Sequence, residues 1–237
     1  MFWFTEGMCF LPTFLVIWSS GTFIITYAIA VLKRDVDVIF PYISDTGAMP
    51  PESGVFGVMT TITAFTSMIT MFARYKFVQK LQAEVLRGPA RLNQVALWCG
   101  LISCLGMCVV ATFQVTLVTK VHDLGAVVFF ICGVAYILLQ SRISYRMHPY
   151  GSSMTVCHVR AIISIISLLA TFPMIICGML APTKLHWDPK DEGFVVHLVS
   201  SICEWTVTFG FVFFFLSYIQ DFKRFTLTLT AEMLVFN

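Results

Sequence analysis

Glu204 is the residue whose chemistry stands out first, because it interrupts an apolar run that extends from about Phe194 to Ile219. An ionised carboxylate at that depth in hydrocarbon costs on the order of several kcal/mol, so an acid there is a functional candidate that is either held neutral or turned toward a polar cavity. His197 precedes it by seven residues, two helical turns away and on the same face, and Thr208 continues that face one turn further on. His122 and Asp123 adjoin a second apolar run from the same membrane side, where Asp45 and His186 also fall. Two histidines with carboxylates are the donor types of a zinc site or a hydrolytic centre. Here, however, four separate segments supply them, and no HExxH or comparable spacing ties two together. The expectation is therefore no catalytic residue, no metal and no cofactor. His122, Asp123, His197 and Glu204 are read as a polar intramembrane or luminal network that locks helices together, with a lipid, proton or small-solute site as the alternative.

The elements that must position these groups follow from composition. Of 237 residues, 58% are hydrophobic and 12% charged, and the mean hydropathy is +0.84. A water-facing surface calls for about a quarter charged residues, so a soluble globular domain is excluded. Six apolar runs, at about 9–32, 54–73, 95–118, 124–141, 161–181 and 194–219, can each cross a hydrocarbon core of about 30 Å. The first lacks a basic leader and exceeds the length of a cleaved signal core, so it reads as a retained signal anchor. The third and fourth are separated only around Lys120–Asp123, which implies a tight hairpin. Pro173 inside the fifth predicts a kink that neighbouring helices can accommodate. The fold class is an all-α integral membrane protein: one six-span transmembrane helix bundle over residues 1–237, with no internal repeat.

Orientation follows the Lys/Arg bias. Arg74, Lys76, Lys80, Arg87, Arg91, Arg142, Arg146, Arg160, Lys223 and Arg224 collect on one side. The acids Asp35, Asp37, Asp45, Glu52, Asp123, Asp188, Asp191 and Glu192 fall on the other. The basic side is taken as cytosolic, which places both termini in the cytosol; Lys33–Arg34 is the discordant pair. No Asn-x-Ser/Thr acceptor tags the opposite face, and a net charge of +2 gives no reason to expect a nucleic-acid partner. Membrane lipids are the expected partners. The eight cysteines lie in or beside apolar runs and read as packing residues; Cys9 and Cys157, at membrane edges, are candidates for palmitoylation. Trp3 and Trp187 read as interfacial belt residues, Trp18 and Trp205 as packing between helices, and Gly100, Ser103 and Gly106 as points of close helix approach. The basic segment 74–91 is accounted for by topology, and Tyr75-Lys76-Phe77-Val78 has the form of a sorting signal.

The first extracytosolic loop, Pro41-Tyr42-Ile43-Ser44-Asp45-Thr46-Gly47 followed by Pro50-Pro51-Glu52, carries enough proline and glycine to be ordered over the helix ends. Together with Phe56-Gly57 it resembles the hallmark of the DRAM family, the DNA-damage-regulated autophagy modulators, and most of all its founding, damage-inducible branch. Supporting matches are Ala111-Thr112-Phe113-Gln114, where Thr112 departs from that family's asparagine, and His122-Asp123 with Gly125-Ala126. Lys184-Leu185-His186-Trp187-Asp188-Pro189, Ile202-Cys203-Glu204-Trp205-Thr206-Val207 and Tyr218-Ile219-Gln220-Asp221-Phe222 match as well. The resemblance implies a six-span protein of lysosomal and late endosomal membranes that promotes autophagy and links p53 signalling to cell death, non-enzymatic and acting through partner membrane proteins. It also implies, through a wider superfamily tied to lipid remodelling, an alternative lipid-binding or lipid-remodelling role around Glu204. It supplies no catalytic residues.

Overall fold

A computed structural model describes residues 7–86 and 91–227. Its helices are α1 (Phe10–Lys33), α2 (Glu52–Leu81), α3 (Arg91–Thr112), α4 (Thr119–Met147), α5 (Met154–Leu180), α6 (Phe194–Leu216) and the short α7 (Tyr218–Phe222). Six segments are long and apolar enough to cross a membrane. The chain is an all-helical multi-pass membrane protein. Helices answer the demand that hydrocarbon makes of the backbone, since each N–H finds its acceptor within its own segment. The hydroxyls of α2 solve the same problem locally: Thr61, Thr66 and Thr70 each donate to the carbonyl four residues back, at 2.7–2.8 Å.

Local chemistry sets the helix ends. Arg34 takes a left-handed φ of 63°, and its N–H and that of Asp35 close α1 onto Val31 and Ala30 carbonyls. Ser153 caps α5 by accepting the Val156 N–H at 3.3 Å. Gly193, at φ 88°, turns the chain into α6 in a conformation that a side chain would strain.

Each crossing packs on the next, and α1 also packs on α6, so the six form a closed ring. The seam is stitched where the Met8 N–H donates to the Phe222 carbonyl at 3.0 Å. α3 and α4 approach most intimately at Gly106, where a Cβ would stand 2.6 Å from the Phe129 nitrogen. Ser103 there donates to the Phe129 carbonyl at 2.8 Å. Connections 34–51, 113–118 and 181–193 gather at one end. Thr116 donates to the Ala48 carbonyl at 3.2 Å, and the Asp37 carboxylate accepts the Trp187 N–H at 2.6 Å. Arg74, Ser152 and Asp221 meet at the opposite end.

The structure differs from the sequence expectations in definite places. The α3–α4 turn lies at 113–118, and Lys120–Asp123 already belongs to α4. Val115, Leu117 and Val118 prolonged the apolar run although they lie beyond the helix: Val115 is buried against protein, Leu117 and Val118 are exposed, and the Gln114 carbonyl collects the N–H groups of the latter two. Cys9 and Cys157 are both 0% exposed, which leaves no room for an acyl chain on sulfur. The discordant Lys33 is held by Asp35 at 3.3 Å, by Glu52 at 3.6 Å and by the Pro50 carbonyl. Trp3 and Arg87 lie outside the described residues.

Candidate functional site

The Pro41–Gly47 loop is held in place by its backbone. The Ile43 N–H donates to Glu204 Oε2 at 2.9 Å, and the Pro41 carbonyl accepts the Trp205 indole N–H at 2.8 Å. Asp45–Gly47 forms a 3-10 turn, Thr46 shares a 3.0 Å hydrogen bond with Thr26 of α1, and Gly47 lies against the Phe56 ring. Glu52, at the start of α2, is completely covered beneath Lys33. The proline-rich segment is thus a folded cover whose anchor is the intramembrane carboxylate.

Beneath it, between α4, α5 and α6, lies a cavity of about 180 Å³. Tyr42, Ser44 and Asp45 line it from the loop, His122 and Asp123 from α4, and Ser200 and Glu204 from α6. Asp45, His122 and Glu204 are respectively 6%, 3% and 8% exposed. His122 Nδ1 lies 2.6 Å from the Phe113 carbonyl, which can only accept, so that nitrogen carries a proton and Nε2 is left to the cavity. One oxygen of Glu204 is committed to Ile43. Burial, then the nearby Glu204 and Asp123 carboxyls, hold the Asp45 carboxyl well above the usual carboxylate range. Burial also pushes the Tyr42 phenol up to about 12. The volume takes several waters or a small polar group and falls short of the roughly 300–1,000 Å³ of a drug-sized site. Lys184, which also lines it, is held by Asp191 at 3.2 Å, and the rest of the lining favours a group that donates hydrogen bonds or carries positive charge. On the inner side of Glu204 and His122 lies a second void of about 60 Å³, bordered by Thr60 and Thr208. Those two side chains therefore form the partition between an outer polar chamber and the bundle interior.

His197 does not join them. It is buried on the other side of Tyr42, edge-on to that ring at 4.8 Å and stacked on Trp187 at 4.5 Å. His186 is exposed and pairs with Asp37 at 3.3 Å. Among the described residues no group of three or more His, Cys, Asp or Glu side chains is arranged to hold a metal ion. Ser200, by contrast, lines the cavity and donates to the Met174 carbonyl at 2.7 Å. It sits one turn before Glu204, so the same stripe arithmetic that paired His197 with Glu204 would have found it.

A second polar constellation occupies the opposite end. Arg74 and Arg160, counted from sequence among the basic residues of the cytosolic side, are both 0% exposed. Asp221 Oδ2 accepts from Arg74 at 2.6 Å and from Arg160 at 2.7 Å. The remaining Arg160 donors reach Ser144, Ser152, the Ser217 hydroxyl and the Ser217 carbonyl at 2.8–3.0 Å. The Tyr218 ring lies 4.9 Å from each guanidinium, and its hydroxyl meets that of Tyr136 at 3.0 Å. One carboxylate thereby ties α2, α5 and α7 together. The only sequence signal was charge at the very edge of apolar runs, which topology alone also explains.

Fold and site together define a six-span helical membrane protein with an acidic cavity under an ordered interhelical loop. The chain belongs to the family described as Frag1/DRAM/Sfk1/Cwh43P N-terminal domain, whose model matches residues 7–225. It is 49% identical over 234 residues to DNA damage-regulated autophagy modulator protein 1 of Homo sapiens, covering 98% of each chain. Against DNA damage-regulated autophagy modulator protein 2 of Mus musculus the identity is 41% over 242 residues, 98% of this chain and 90% of the relative. Modulator of macroautophagy TMEM150B-B of Xenopus laevis is 29% identical over 199 residues, 83% of this chain and 78% of the relative. No solved structure matches.

Proposed function

We propose that this protein modulates autophagy from lysosomal and late endosomal membranes, by holding a small cationic or hydrogen-bond-donating group in the acidic cavity and passing that state to partner membrane proteins. The observation that carries the reading is the convergence of Asp45, His122 and Glu204, all buried, on one chamber roofed by the Pro41–Gly47 loop. Autophagy as the process is supported by the names of the relatives. The link to p53-dependent cell death rests on family membership. The acidic end faces the lumen and both termini face the cytosol, in keeping with the basic residues at the other end; reagent labelling of cysteines introduced at exposed Glu192 and Lys80 reads the two sides directly. The role is non-enzymatic. For the lipid-binding reading, the chamber has room for a headgroup amine but not for a whole lipid.

The test uses cells lacking the native protein, re-expressing wild type, Glu204→Gln or Asp45→Asn. Both variants are expected to reach the same membranes at normal abundance and to lower autophagic flux toward that of the null cells. Normal flux from correctly localised variants would sink the reading.

A further inference from the structure

At the basic end, a crevice of about 500 Å³ lies between α4 and α5. Arg142 and Arg146 stand on its α4 wall one turn apart. Both are exposed, and neither makes an ion pair or side-chain hydrogen bond with a described residue. This contrasts with the cations of α2, where exposed Lys80 pairs with Glu84 at 2.9 Å and partly exposed Lys76 lies over the rings of Phe72 and Tyr75. The hairpin offers no counter-charge of its own, since no Asp or Glu occurs between Asp123 and Asp188. Asp221, the carboxylate that α7 brings to this end, is already shared by Arg74 and Arg160. The floor is polar but closed, with the Ser141 and Ser164 hydroxyls 2.8 Å apart.

The crevice also has an apolar continuation. Leu138 lies one turn inward from Arg142, about 6 Å along the axis, and Ile165 faces it from α5, half exposed. Paired guanidinium groups where the apolar run of α4 ends, beside an aliphatic wall of Leu138, Ala161 and Ile165, match a phosphate headgroup with chains attached. From this juxtaposition we infer that the α4–α5 crevice is a binding site for an anionic phospholipid. The fork geometry of arginine suits phosphate oxygens, and Tyr145 lines the same crevice. A free phosphate would use the guanidiniums and leave Leu138 and Ile165 without a role. The site lies at the opposite end from the acidic cavity and does not depend on what that cavity holds.

The experiment takes the purified full-length chain in neutral detergent and titrates it with phosphatidylserine or phosphatidylcholine, counting bound lipid by native mass spectrometry. Wild type is expected to prefer phosphatidylserine, and Arg142→Gln/Arg146→Gln to lose about thirtyfold in affinity for it, as two basic contacts at a membrane surface imply. Arg142→Lys/Arg146→Lys should recover most of the binding, and Lys76→Gln/Lys80→Gln should leave it unchanged. Arg142, Arg146 and Lys80 are exposed and Lys76 is partly so, and unaltered melting of the variants in phosphatidylcholine separates lost binding from lost folding. Equal binding of the two lipids by wild type overturns the inference, as does undiminished binding by the Gln pair. Competition by inorganic phosphate as strong as that by phosphatidylserine would transfer the site to a soluble anion and overturn the lipid assignment.

Discussion

Asp45 concentrates the electrostatic consequences of the site in one side chain. Its folded-state pKa is raised by burial and by the Glu204 and Asp123 carboxyls, with His122, Tyr42 and Lys184 completing its surroundings. A raised carboxylate pKa means that the native state binds the proton more tightly than the unfolded chain does. The corresponding stability is complete below the ordinary carboxylate pKa of about 4 and is lost as pH climbs through the elevated value. Thermal melting in detergent is therefore expected to be higher at acidic than at neutral pH, and Asp45→Asn should flatten that slope. A slope that survives the substitution would assign it to other groups. The contrast with Arg74 and Arg160 shows what sequence can and cannot reveal at this scale. Glu204 announces itself because a carboxylate inside an apolar run has no bland explanation. An arginine at the edge of a run has one, so its complete burial beside Asp221 is visible only once three distant segments have been brought together.

At the scale of elements, the α3–α4 contact makes the sharpest forecast. Gly106 faces backbone atoms that cannot swing aside, whereas a Cβ on Gly21 of α1 would meet nothing within 4 Å. Gly106→Ala should therefore destabilise by about 1–3 kcal/mol, the usual cost of overpacking, while Gly21→Ala should be neutral or mildly stabilising. Melting curves of the two variants side by side decide it; equal behaviour would mean that the helices are not closely apposed there. The six crossings were legible because each must be apolar for about 20 residues, a demand that composition cannot hide. The turn between α3 and α4 was not legible to hydropathy, which does not distinguish Val115 buried against protein from Val115 buried in lipid. The hydrophobic run overshot the helix for that reason. The pairing of His197 with Glu204 failed for a related one, since a seven-residue spacing fixes a face but not what stands between two side chains on it. Here the Tyr42 ring and Trp187 take His197 away from the chamber.

For the whole molecule, the ring is held at one end by the loop on Glu204 and at the other by Asp221. Asp221→Ala would leave two guanidinium groups buried without their carboxylate. A loss of about 3–5 kcal/mol is expected, seen as a lowered melting temperature and reduced abundance in membranes. A melting temperature within experimental error of wild type would show that the cluster is not a fastening. The overall architecture was readable in advance, because six spans with short connections leave few ways to pack. The ring itself was not, because nothing in hydropathy says that the first helix meets the last.

That closure also orders the events of biosynthesis. During translation α1 enters the bilayer first, with Ser19, Thr22 and Thr26 on the face that the finished ring buries. α6 and α7 emerge only after all the other crossings, and until they do the Met8–Phe222 stitch and the Asp221 bridge cannot form. A nascent chain therefore carries an open seam throughout its synthesis, guarded for that interval by hydroxyls that bond back to their own helix, as Ser19, Thr22 and Thr26 do at 2.8–2.9 Å. A product interrupted before Asp221 would reach the membrane with six apolar helices and no clasp, making it a substrate for membrane quality control.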